Sequence, residues 1–226
     1  TEFDIYATMD PAKEVGGDFY DFFLVDDDHL AVVVADVSGK GVPAALFMVI
    51  AKTLIKNHAQ NRETPAEVFT HTNAQLCEGN DAGLFVTAWM AVLEISTGKL
   101  TYVNAGHNPP LLQRAGGSYE WLKSRPGFVL AGMEGMRYRE NEMELHPGDR
   151  LFLYTDGVTE ATDANKELYG DDRLQAALDR QGNVPVRQLL TGIKESIDAF
   201  VGDAEQFDDI TMLGLEYRER GERADG

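Results

Sequence analysis

An apolar run that stops on an acid constrains this chain most. In LAVVVADVSGKG, residues 30–41, six apolar residues from Leu30 to Ala35 give way at Asp36, and Ser38, Gly39, Lys40 and Gly41 follow closely. Such a run reads as a buried strand. An ionised carboxylate at its end resists burial unless something pairs with it. Three more places share the pattern of an acid at a strand edge beside Gly or another acid. They are Asp18 in GGDFYD, Asp156 in FLYTDGV, and the pair Asp208 and Asp209 in FDDITML. Each has a structural explanation taken singly, as a helix cap for Asp36 or as a turn at Asp156 before Gly157. Taken together they call for positive charge, and these motifs hold too few Lys and Arg to supply it. Hard divalent cations supply it. Carboxylate, carbonyl and water oxygens select Mg²⁺ or Mn²⁺, whereas zinc prefers Cys and His. Glycines beside the acids let backbone carbonyls come close. Two such ions about 3.5–4 Å apart activate water for attack at phosphorus.

The rest of the chain reads as alternating strands and helix pairs. A first group of strands holds FYDFFLVD, HLAVVVAD, LFVTAWMAVLEI and KLTYVNAG, with short turns such as DDD and STG that mark antiparallel hairpins. A second group holds YRENEMEL and DRLFLYTD, joined by the turn HPGD, and DITMLGLEY near the end. Pro43 opens a helix whose apolar face is Leu46, Val49, Ile50, Thr53 and Leu54. TPAE at 64–67 is a capping box, starting a helix with Val68, Phe69, Thr72 and Leu76 on its apolar side. DDRLQAALDRQ and the series Val186, Leu189, Leu190, Ile193, Ile197, Phe200 give two more helices. This order predicts an α+β or a layered α/β/β/α domain. The regular βαβ alternation of a dinucleotide fold is missing.

Charge and cysteine usage narrow the function classes. Thirty-eight acidic residues against twenty basic ones give a net charge of −18, which repels nucleic acid and anionic lipid. No apolar run approaches the ~18–20 residues that span a bilayer, so direct membrane insertion is not expected. The N-terminus lacks the basic and apolar regions of a signal peptide, and the chain reads as a piece of a longer protein. The single Cys77 leaves no internal disulfide and suits a reducing, cytoplasmic setting. It falls in a helix and is read as packing. Residues 1–217 read as one domain, and 218–226 as a charged tail that frays.

Five motifs in order, DPAKEVGGDFYDFF, VVVADVSGKGVPAALFM, TYVNAGHNPPLL, LFLYTDGVTEA and FDDITML, resemble the SpoIIE/RsbU-type phosphatases. These are a bacterial branch of the metal-dependent PPM (type 2C) serine/threonine protein phosphatases, and the resemblance runs from about residue 4 to 217. It implies an α+β fold, a four-layer α/β/β/α sandwich of two mainly antiparallel sheets flanked by helices, with two Mn²⁺ or Mg²⁺ ions at one end. Asp36 would bridge both ions and the Val37 carbonyl would serve the second. Asp18 would bind that second ion directly or through water, so Asp36 and Asp18 are the expected catalytic residues. Asp156 and Asp208 would hold the first ion, with Asp209 as the alternative to Asp208. Ser38 stands where the wider family carries a His, and Glu14 and Lys13 stand where it carries a phosphate-binding Arg. The leaving-group acid and the phosphate clamp are therefore unassigned. His107 is a candidate acid and Lys40 a candidate phosphate contact, each against a plainer reading as a loop or solvated residue. Histidines 29, 58, 71 and 146 read as surface or helix residues.

The resemblance implies hydrolysis of phosphoserine or phosphothreonine on a protein, a phosphorylated anti-sigma-factor antagonist of STAS type in bacterial partner switching. It also implies pairing of two copies, or control by a sensor domain, through the helices at about 43–60 and 65–78. A catalytically inactive scaffold of the same fold is the alternative. A nucleotide-binding ATPase is a weaker third reading: SGKG hints at a P-loop, but the GxxxxGK[ST] spacing is absent.

Overall fold

The apolar run at 30–35 lies in strand β3 (His29–Val37), and its two faces are both buried. Ala31, Val33, Ala35 and Val37 pack in one direction, Leu30, Val32 and Val34 in the other. Side chains alternate across a strand, so a continuous apolar run needs a covering layer on each side. A computed structural model of the protein, describing residues 2–218, shows both layers. Residues 219–226 of the expected tail lie outside the described residues.

One sheet runs in the order β2 (Asp18–Asp26), β3, β4 (Val86–Glu94), β5 (Lys99–Ala105), β8 (Asn141–Glu144). The other runs β1 (Phe3–Asp10), β10 (Ile210–Tyr217), β9 (Arg150–Tyr154), β6 (Leu111–Gln113), β7 (Tyr119–Trp121). Neighbouring strands within each sheet are antiparallel. Helices α1 (Val42–Gln60) and α2 (Pro65–Cys77) cover the first sheet. Helices α4 (Gly170–Gln181) and α5 (Val186–Val201) cover the second. Between the sheets lies an apolar layer that includes Trp89, Leu151, Leu153, Leu213 and Leu215. The expected α/β/β/α order is the observed one. Among the described residues no helix is long and apolar enough to cross a membrane.

Several local expectations are corrected. The face of α1 read as apolar is largely outward: Leu46 is 62% exposed, and Val49 and Ile50 are exposed with it. The buried face is Ala44, Ala51, Ile55, His58 and Ala59, with the half-buried Phe47, Met48 and Leu54 packed against the same core. HPGD does join two strands, but β8 belongs to the first sheet and β9 to the second. The corner is held by Asp149, whose buried carboxylate accepts hydrogen bonds from Arg114, His146 N and Ala115 N. Strands β1, β6 and β7 and the single helical turn α3 (Asp156–Thr159) have no counterpart in the sequence reading. The capping box at 64–67 is present, with Thr64 Oγ1 accepting from Glu67 N and Glu67 Oε2 accepting from Thr64 N.

The two faces of α1 separate in a denaturation experiment. Ile55→Ala, at a 1% exposed site, is expected to cost about 2–5 kcal/mol in urea unfolding. Leu46→Ala is expected to stay within about 0.5 kcal/mol of the parent.

Candidate metal centre

Strand direction brings the acids together. The start of β2 lies beside the end of β3, and Asp18 is the register partner of Asp36. In the other sheet Asp156 opens α3 just after β9, and Asp208 and Asp209 lead into β10, which pairs with β9. Thr155 N donates to the Thr211 carbonyl at 3.1 Å and closes that end of the sheet. Thr155 Oγ1 and Thr211 Oγ1 then both donate across the sandwich to Asp18 Oδ2, each at 2.6 Å. Asp18 is buried there, so one of its oxygens is fixed by the opposite sheet.

The two adjacent acids before β10 split their work. Asp209 is 6% exposed and accepts from Ala12 N at 2.9 Å and Asp18 N at 3.4 Å, holding the loop between β1 and β2. Gly16 is required beside it, since a Cβ there would fall 1.7 Å from Asp209 Oδ2. Gly157 is required on the other side, where a Cβ would meet the Asp209 carbonyl at 1.9 Å. Asp208 is half-buried and lies 3.8 Å from the Lys40 ammonium. That ammonium also donates to the Phe207 carbonyl at 2.6 Å. A small cleft lined by Gly16, Gly17, Asp36, Lys40, Phe207 and Asp208 opens at this end.

Crowding shows in the acidities. Burial first, then the charges of Asp18, Asp156 and Asp208, push the Asp36 carboxyl up to about 9. Burial also pushes Asp18 up to about 7, while hydrogen bonds from Thr155, Thr211 and Asp36 pull it back. Asp156 is raised by burial and by Asp208. Glu160, one helical turn beyond Asp156, is raised by burial and by the charges of Asp156 and Asp208. The sequence reading passed over it, although an i, i+4 step from Asp156 inside the quoted motif would have found it. Thr155 and Thr211 were also passed over, because no local pattern says that two hydroxyls from paired strands reach a third strand.

The donor set fits hard divalent cations. It consists of carboxylate oxygens that raise one another's pKa, with the Val37 carbonyl beside Gly17 and a glycine-lined cleft. Excess negative charge in a half-buried site is stabilised by a cation.

His107 does not meet the acids. Its Nε2–H donates to the Tyr154 carbonyl and its Nδ1 accepts from the Thr87 hydroxyl, both at 2.9 Å. Burial drives the ring down to about 4, so it is neutral and committed on both nitrogens. It fixes the end of β9 just before Asp156 and is no proton donor for a leaving group. Ser38 Oγ accepts from Phe85 N at 2.8 Å and pins the loop that leads to α1.

Residues 26–218 match the family model described as Stage II sporulation protein E (SpoIIE). Protein IcfG of Synechocystis sp. is 33% identical over 244 residues, spanning 96% of this chain and 38% of its own length. Phosphoserine phosphatase RsbU of Bacillus subtilis is 29% identical over 212 residues, spanning 94% of this chain and 62% of its own. The chain thus spans between 38% and 62% of the length of these two relatives. The crystal structure of the RsbU and RsbW domains of a Mycobacterium tuberculosis protein superposes with a TM-score of 0.83 at 25% identity. That match covers 96% of this chain and 60% of the other.

The raised acids give a stability test with a definite sign. In metal-free protein the folded state holds protons on Asp18 and Asp36 that the unfolded chain has already lost. Stability therefore falls as pH rises from the ordinary carboxylate range, about 4, toward 9. The melting temperature in EDTA is expected to drop across that window. Asp36→Asn is expected to flatten the drop, raise the melting temperature at the alkaline end, and remove the upward shift given by Mn²⁺. A pH-independent parent would contradict the mutual repulsion described here.

Proposed function

The chain belongs to the SpoIIE family, and from that premise we propose that it hydrolyses phosphoserine or phosphothreonine on a protein, using two Mn²⁺ or Mg²⁺ ions. The observation that carries this reading is the meeting of Asp18, Asp36, Asp156 and Asp208 at one end of the sandwich. Asp36 stands between the others and is the bridging ligand of the proposal, with the Val37 carbonyl beside it. Asp156 and Asp208 hold one ion. Asp18 serves the second, directly or through water, with the Thr155 and Thr211 hydroxyls keeping its carboxylate oriented. Asp208 rather than Asp209 takes the ligand role, because both Asp209 oxygens already accept backbone N–H groups. When bound, such ions would lower the pKa of water and offset charge on the phosphoryl oxygens.

The chain's own residues supply positioning. Lys40 sits at the cleft beside Asp208 and brings a positive charge to the place where a phosphoryl group would enter. A covalent route through cysteine is disfavoured. Cys77 closes α2, and burial followed by the charge of Glu134 raises its thiol rather than activating it.

The relatives support the substrate class of the proposal. RsbU carries the name phosphoserine phosphatase, and the mycobacterial chain joins an RsbU domain to an RsbW domain. A phosphorylated anti-sigma-factor antagonist in a cytoplasmic partner-switching pathway is the proposed substrate. The exposed apolar stripe of α1 (Val42, Leu46, Val49, Ile50) is the proposed surface for a second copy or for a sensor domain of a longer protein.

With saturating Mn²⁺ and a phosphoserine-bearing STAS-type protein, the parent is expected to release phosphate and Asp36→Asn to fall to the EDTA background. Thr155→Val is expected to lose about 10–100-fold through its effect on Asp18. Asp208→Asn is expected to raise the metal concentration needed for half-maximal rate, whereas Asp209→Asn lowers the melting temperature. Equal rates for Asp36→Asn and the parent would replace the enzyme with a binding module.

A further inference from the structure

Far from the acid cage, three other metal-ligating side chains converge. His58 stands in the last turn of α1, Glu63 in the turn after it, and His71 in α2. Their ligand atoms lie within 4.8 Å of one another. His58 Nδ1 meets Glu63 Oε1 at 2.9 Å, and His71 Nδ1 meets Glu63 Oε2 at 2.7 Å. The two rings sit 5.4 Å apart, tilted by 44°.

A pair of ordinary His–Glu hydrogen bonds explains each contact singly, but less well both together. One carboxylate takes an imidazole on each oxygen, and His58 is buried although its Nε2 has no hydrogen-bond partner. A cation held through His58 Nδ1 would leave that Nε2 unchanged; what favours an ion is the gathering of three ligand atoms within 4.8 Å. The nearby Arg62 turns away toward Asp26 at 3.8 Å, leaving the space between the rings without a competing cation from that side chain.

We propose that His58, Glu63 and His71 form a second metal site, two imidazoles and one carboxylate, which takes a zinc-class transition cation at the α1–α2 turn. Imidazole nitrogen selects zinc, nickel or copper over the hard ions that suit the acid cage. With metal–ligand bonds of about 2.0–2.1 Å, the edge of a tetrahedral site is about 3.3 Å. The N···O separations of 2.9 and 2.7 Å run to different Glu63 oxygens, so one imidazole must shift toward the oxygen that binds the cation, starting from ligand atoms already within 4.8 Å of one another. His71 is about half exposed, which leaves a fourth position open to water.

The turn is already firm. The capping box at Thr64 and Glu67 fixes the start of α2, so Glu63 and His71 are held relative to one another before any ion arrives. The place in the fold is also distinct. Asp26 and His29, at the far end of β2 and β3, line one cleft with Ala59, Arg62 and Glu63. Asp36 is at the other end of β3, about 23 Å from His29 at ~3.3 Å per residue. A cation here would staple the far end of the helical hairpin whose near end follows the acid-bearing loop.

The test uses the whole chain in saturating Mg²⁺, so that the acid cage is occupied, with Zn²⁺ added in a calorimeter and Co²⁺ as a spectroscopic probe. One equivalent of zinc is expected to bind, with a Co²⁺ visible spectrum of nitrogen–oxygen coordination. His71→Gln, at an exposed position, and Glu63→Gln are each expected to weaken zinc binding at least about tenfold and to bleach that spectrum. Asp36→Asn is expected to keep both signals, which separates this site from the phosphatase reading. Undiminished zinc affinity in folded His71→Gln, or loss of zinc binding in Asp36→Asn, would overturn the proposal.

Discussion

A carboxylate at the seam of two sheets is the joint on which this structure turns. Asp18 belongs to one sheet, yet its oxygen is held by hydroxyls from two paired strands of the other. Hydrogen bonds to a charged, buried acceptor are stronger and more directional than apolar contacts. The apolar layer between the sheets has no such directionality and would tolerate small sliding of one sheet over the other. The Thr155–Asp18–Thr211 contact fixes their relative position at one end, and the Asp209 clamp on Ala12 N and Asp18 N fixes the connection that crosses between them.

That joint also concentrates charge. Once the sheet ends are aligned, Asp36, Asp156 and Asp208 face a common region that Asp18 already occupies. Their mutual repulsion costs folding free energy, and the fold sustains it with a large apolar interior on three levels. Strain of this kind, confined to one edge of a well-packed scaffold, is what a cation-binding site requires before its cation arrives. Glycines at 16 and 157 are part of the same arrangement, because the chain passes too close to Asp209 there for any side chain.

Helix α1 connects the two ends of the first sheet. It starts just after the loop that carries Lys40 and follows Val37, and it ends at Gln60 with His58 in its last turn. Ala44, Ala51, Ile55 and Ala59 face inward with Phe47, Met48 and Leu54 beside them, while Leu46, Val49 and Ile50 face outward. A helix with apolar residues on both sides reads ambiguously in sequence, since periodicity identifies a stripe but not which stripe the sheet will cover.

The sequence alone determined the layer architecture, the capping of α2 and the set of acids worth watching. These follow from local signals: a run apolar on both faces, a Thr-Pro-x-Glu start, and carboxylates where burial makes them costly. Short strands such as β6 and β7 and the crossing of HPGD between sheets were not legible, because pairing partners distant in the chain decide them. Only the tertiary structure separated Asp208 from Asp209, committed His107 to Thr87 and Tyr154, and brought Thr155 and Thr211 to Asp18. It also joined Glu63 to His58 and His71, two histidines that read in sequence as surface or helix residues. Direction and distance between side chains remote in sequence exist only after the sheets have packed, and that is where this chain's chemistry is set.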